Sequence, residues 1–164
     1  MAPGGAQMTV MTGGCQCGAV RYRIDQALEN AHICHCRMCQ KASGNYFQPL
    51  ARTPKAKFSV TRGEIGWFQS SDIVRRGFCR DCGTPLLFEV VARDTINVVL
   101  GALDDPGAVK PTFQCGSAEK MPWFGELDAV ELSADESAWY AAVAPSNHQH
   151  PDHDTEQWPA EKRS

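Results

Sequence analysis

Long hydrophobic runs are missing from these 164 residues. The longest apolar stretch, Ile96 to Leu103, is broken by Asn97 and falls far short of the ~20 residues that cross a bilayer, so no membrane helix is expected. An excess of positive charge is missing too. Sixteen Lys and Arg stand against 19 Asp and Glu, for a net charge of −3. Bulk phosphate binding usually shows as a basic domain, so nucleic acid is not expected as a partner. Met1 to Gly14 carries neither the basic cluster nor the apolar run of a secretory signal, and the expected location is cytoplasmic, where disulfides do not persist. There is no internal repeat and no long low-complexity run. A hydrophobic share of 43% and a charged share of 21% describe an ordinary globular protein. At roughly 100–200 residues per domain the chain holds one domain, large enough to bury a core without disulfides.

Cysteine is what the chain has in quantity, with eight residues. In a reducing compartment, clustered cysteines are metal ligands or redox groups before they are disulfides.

Residues 1–7 are rich in Gly, Ala and Pro and read as a flexible leader. Residues 8–143 form the working domain. Residues 144–164 are polar, contain His148, His150 and His153, and read as a solvated tail rather than a metal tract. Ala19–Ile24 largely alternates apolar and polar, as a half-buried strand does. Further strands are expected at Tyr46–Ala51, Phe58–Thr61, Ile65–Gln69, Ile73–Phe78, Leu86–Val91 and Ile96–Leu100, separated by Gly, Pro, Asp and Asn. Only Arg37–Ser43 and Asp135–Val143 suggest helix. The expected class is mostly β, with antiparallel sheets and few short helices. Trp67, Phe68, Trp123 and Phe124 are expected in the core rather than on a substrate wall.

Seven cysteines fall into three clusters: Cys15-Gln16-Cys17-Gly18, Cys34-His35-Cys36-Arg37-Met38-Cys39 and Cys79-Arg80-Asp81-Cys82-Gly83. In the third, two intervening residues let one tight turn aim both sulfurs at a point, and the following Gly can adopt φ > 0. The first cluster, also a pair followed by Gly, suits the same role. Spacing alone does not decide which clusters share a metal. The first and third together supply Cys15, Cys17, Cys79 and Cys82, the four thiolates a closed structural zinc needs. The middle cluster then leaves Cys34, Cys36 and Cys39. Three protein ligands with an open fourth position is the pattern of a catalytic zinc, so two zincs per chain are expected. A redox relay, or one four-thiolate site with inert buried thiols, remains the alternative. Period-2 geometry points Cys34 and Cys36 one way and His35 the other, which makes His35 structural. Cys115 stands alone and reads as a small buried apolar side chain.

The stretch Gly14-Cys15-Gln16-Cys17-Gly18-Ala19-Val20-Arg21-Tyr22 resembles the opening of the glutathione-dependent formaldehyde-activating enzyme (GFA) family, which also includes centromere protein V. Cys34-His35-Cys36-Arg37-Met38-Cys39-Gln40-Lys41 with Gly44 is similar to that family's second motif. Gly63 and the run Arg76 to Leu86, with Cys79 and Cys82, are similar to its third. The resemblance covers about Gly13 to Trp123. At Thr112–Gly116 the chain departs from the pattern, because a histidine is expected there and none stands. The resemblance implies an Mss4-like fold, also called a β-tent, fastened by zinc. It implies that the first and third clusters share the structural zinc and that the middle cluster holds the catalytic one. It further implies a carbon–sulfur lyase reaction joining glutathione to formaldehyde to give S-(hydroxymethyl)glutathione. A non-catalytic zinc-stabilised binding module and a lyase for another thiol adduct are the alternatives. Glutathione is anionic, and Arg37, Lys41 and Arg80, beside the clusters, are its candidate contacts. The sequence does not give the oligomeric state.

Overall fold

The computed structural model describes residues 9–134 and 136–158; the leader at 1–7 lies outside them. In chain order the elements are β1 (Met11–Gly14), β2 (Arg21–Ile24), β3 (Glu29–Cys34), α1 (Arg37–Ser43), β4 (Gln48–Pro54), β5 (Phe58–Arg62), β6 (Gly66–Gln69), β7 (Val74–Phe78), β8 (Pro85–Val90), β9 (Thr95–Val99), β10 (Phe113–Cys115) and α2 (Glu136–Val143), with short 3₁₀ turns between them. Among the described residues no helix is long and apolar enough to cross a membrane.

The strands form two sheets. One has the order β1-β2-β5, and the other the order β10-β3-β4-β9-β8-β7-β6. All pairings are antiparallel except β10 with β3, which run parallel. Strand period places successive side chains on opposite faces, and β4 shows the consequence. Ala51 joins the main core with Ile96 and Val98 of β9 and Tyr22 and Ile24 of β2, so the small sheet packs on one face of the large one. Tyr22, Ile24, Leu86 and Val98 are fully buried there, each contributing about 1.5–3 kcal/mol by leaving water. Leu50, on the opposite face, clusters with Cys34, Cys39 and Val99. The large sheet therefore has one face under the small sheet, where Cys15 and Cys79 join the core, and an opposite face that carries Cys34 and Cys39.

Helix α1 is short because Gly44 ends it at φ 64°, donating its N–H to Gln40 O. Of the aromatics expected in the core, Trp67 packs against it under the Arg75 guanidinium. Phe124 stacks edge-on to His35, and Trp123 edge-on to Tyr46. Phe68 is 62% exposed instead, because it lies on the outer edge strand β6, where one face has no cover.

Candidate functional site

Two knuckles built alike hold the first thiol group. In each, the N–H of the first cysteine donates to the carbonyl five residues on, Cys15 to Val20 and Cys79 to Thr84, both at 3.0 Å. The glycine after the second cysteine turns the chain: Gly18 donates to Cys15 O and Gly83 to Cys79 O, both at 3.0 Å. They sit at φ 79° and 76°, the left-handed region a Cβ disfavours by roughly 1–2 kcal/mol. The turns aim donors at sulfur, with Val20 N–H 3.2 Å from Cys15 Sγ. Thr84 links the knuckles, its hydroxyl 3.1 Å from Cys82 Sγ while accepting Gln16 N–H at 3.0 Å.

The four sulfurs lie within 4.8 Å of one another. Cys15 to Cys17 is 3.6 Å and Cys17 to Cys79 is 3.8 Å. A disulfide needs about 2.05 Å. A tetrahedron of ~2.3 Å metal–sulfur bonds has edges near ~3.8 Å. Burial pushes Cys17 well above the usual thiol range and Cys79 up to about 11. Burial also opposes ionisation of Cys82, but hydrogen bonds from Thr84 outweigh it and bring that thiol down to about 6. Crowded thiols of this kind carry a cost that a dication removes, and both distances and donor type fit zinc.

The second group is Cys34, Cys36 and Cys39, also within 4.8 Å of one another. Cys34 ends β3, Cys36 precedes α1, and Cys39 is the third residue of α1. Cys34 Sγ and Cys36 Sγ are 3.3 Å apart. The hydrogen bond with Cys39 holds Cys34 down at about 4, against burial, and Cys39 is pushed up in return. His35 is fully buried, its Nε2 2.9 Å from Gln114 Oε1, and it stands outside the group of three sulfurs.

Arg76 is the residue that sequence reading missed. It is 7% exposed, and its guanidinium donates to Gln48 Oε1 at 3.0 Å, to Ser70 Oγ at 3.3 Å and to Cys39 Sγ at 3.4 Å. Its planar face covers the Phe88 ring. Among the described residues it pairs with no carboxylate. A buried cation needs an anion beside it. Three thiolates around a dication would carry net charge −1, which would balance Arg76.

A cavity of about 290 Å³ opens beside this group, and Cys34, Cys36, Cys39, Arg52, Arg76 and Arg93 help to line it. Arg52 lies four residues along β4 from Gln48, roughly 13 Å at ~3.3 Å per residue. Arg37, Lys41 and Arg80 line no part of this cavity and are exposed. Helix α1 turns Arg37 and Lys41 outward, and Arg80 lies over Gly66. Cys115 is half-buried, packs against the cluster of Cys34, Cys39, Leu50 and Val99, and lines the cavity.

The tail read as solvated docks through His150 and Asp154. His150 is 7% exposed, donates its N–H to Gln16 O at 2.7 Å, and lies so close to Gly18 that a Cβ there would sit 2.2 Å from its ring. Its Nδ1 is 2.7 Å from Pro151 O, so Nε2 is left to accept from Arg62. Asp154 joins Asp104 on the buried Arg21, at 2.8 and 2.5 Å. His148 and His153 are exposed.

The family model described as glutathione-dependent formaldehyde-activating enzyme matches residues 10–118. A Schizosaccharomyces pombe protein named an uncharacterized lyase is 30% identical over 76 residues, covering 46% of this chain and 55% of that protein. A Phaeosphaeria nodorum protein named for the same family is 27% identical over 107 residues, covering 60% of this chain and 55% of that protein. The chain thus spans about half the length of these curated relatives. A crystal structure of a Rhodobacter sphaeroides protein superposes with a TM-score of 0.52 at 22% identity, covering 63% of this chain and 99% of that one, and shares its fold. Fold, thiol groups and family match agree: the chain belongs to the glutathione-dependent formaldehyde-activating enzyme family.

Proposed function

We propose that the chain is a zinc-dependent carbon–sulfur lyase-type enzyme that adds a thiol, glutathione by family, to formaldehyde. Cys15, Cys17, Cys79 and Cys82 would hold a structural zinc. Cys34, Cys36 and Cys39 would hold a second one. The observation that carries this reading is a group of only three thiolates at the wall of an open cavity. A bound zinc there supplies a position for the substrate sulfur and favours its thiolate form.

The chain's own residues set up the addition. Arg76 donates to Cys39 Sγ and offsets the negative charge of the thiolates. Leu50 and Phe88 form an apolar wall that limits water at the sulfurs. Arg52 and Arg93 face the same cavity and match the carboxylates of a glutathione-sized thiol. In the reaction the S–H bond breaks, a C–S bond forms to the aldehyde carbon, and the carbonyl oxygen gains the proton. Eight thiols with no disulfide fit a reducing, cytoplasmic setting.

Exchange NMR on a glutathione–formaldehyde mixture tests the reading, with the uncatalysed exchange as baseline. Acceleration by the zinc-loaded protein that disappears in Cys39→Ser supports it. No acceleration by protein carrying two zincs overturns the glutathione assignment.

A further inference from the structure

Cys115 lies outside both thiol groups, yet the fold brings it to the second. β10 runs parallel to β3 and pairs Cys115 with Cys34. Paired residues of adjacent strands share a face. The same register stacks Phe113 on His32, ring centroids 5.1 Å apart, and both cysteines line the 290 Å³ cavity. The backbone on either side of Cys115 is fastened to the thiol loop. Its carbonyl accepts His35 N–H at 2.9 Å. Gly116 follows at φ 69°, and a Cβ there would lie 2.6 Å from Cys36 N, so only glycine allows this approach. The Cys115 sulfur is not among the three that lie within 4.8 Å of one another. A single χ1 step between staggered wells moves a cysteine sulfur about 3 Å, the size of movement that separates a neighbouring thiol from a ligand.

We propose that Cys115 is a fourth, exchangeable ligand of the second centre, closing it at rest and yielding its place to a substrate thiol. The proposal rests on the reading of Cys34, Cys36 and Cys39 as a metal centre. At rest Cys34, Cys36, Cys39 and Cys115 would hold the metal, and Cys115 would give up its place to the incoming sulfur, one metal–sulfur bond lost for one gained. The proton lost by the substrate thiol goes to the departing Cys115 thiolate, so the site neither gains nor releases a proton. Three ligands from one short loop would hold the metal, while the fourth, contributed by another strand, would be free to leave.

Cadmium-113 NMR of the full chain loaded with two cadmium ions tests this, because the shift reports the number of sulfur ligands at each ion. The wild-type protein is expected to show two resonances, both in the four-sulfur range. In Cys115→Ser and Cys115→Ala one resonance is expected to move to the three-sulfur range, and added glutathione to bring it back. A wild-type spectrum with one four-sulfur and one three-sulfur resonance overturns the proposal whatever the variants do. A wild-type protein that takes up one cadmium overturns the second centre itself.

Discussion

Replacing Arg76 with methionine removes the cation beside the second thiol group and keeps much of the side chain's bulk over Phe88. The guanidinium donates to Cys39 Sγ at 3.4 Å and meets no carboxylate among the described residues. A hydrogen bond to a charged group contributes about 1.5–3 kcal/mol. At 1.36 kcal/mol per factor of ten, its loss weakens the three-thiolate centre roughly ten- to a hundredfold. The four-thiolate centre, which Arg76 does not touch, keeps its affinity and serves as an internal control. Zinc competition against a chromophoric chelator reads the two dissociation steps separately. Arg76→Lys restores the charge without the planar fork, so it should recover part of the loss. Equal affinity of the second centre in Arg76→Met and wild type, with the fold intact, would refute the argument that the guanidinium balances the thiolates.

Other outcomes follow from the same structure. Glu89 is 2% exposed and bonded to Arg75 and Lys55, each at 2.5 Å. Burial alone would raise its carboxyl, but the two cations outweigh burial and hold it below the usual range. A depressed carboxyl stabilises above its unfolded pKa of about 4.3 and loses that contribution as pH falls through its folded value. The stability gap between wild type and Glu89→Gln in urea melts should therefore be full above pH ~4.5 and close at lower pH; a gap that does not change with pH contradicts this. Arg52→Ala and Arg93→Ala should raise KM for glutathione about tenfold with kcat unchanged, if they bind the carboxylates equally in the ground and transition states; a fall in kcat alone would contradict that role. Gly18→Ala places a Cβ 2.2 Å from the His150 ring at φ 79°. It should cost about 1–3 kcal/mol and increase amide exchange across residues 149–155, and unchanged exchange there would refute the docking argument.

Much of the site was legible because metal chemistry is written in local spacing. The three clusters gave both thiol groups, and the turn chemistry of Gly18 and Gly83 appeared as expected. Helix α1 has the bounds read from the residues after Cys36. What was not legible depends on contacts between distant segments. β1 contains Gly13 and Gly14 and no strand-forming run; it exists because Gly13 makes room for the Tyr22 ring, where a Cβ would lie 2.5 Å from the hydroxyl. β10 has three residues and is defined by pairing with β3. Arg37, Lys41 and Arg80 adjoin cysteines in sequence, but adjacency along a helix or turn does not set direction. Arg52 lies on β4 and Arg93 in the turn between β8 and β9, and both line the cavity. His150 belongs to a segment with no periodicity, and its burial comes from Gly18, Gln16 and Arg62.

Native mass spectrometry of the freshly purified chain tests the two-centre account most directly. The account predicts two zincs in the wild-type protein and one in Cys39→Ser, with the remaining zinc lost only on denaturation. A wild-type protein with a single zinc, or a Cys39→Ser variant that keeps two, would contradict it.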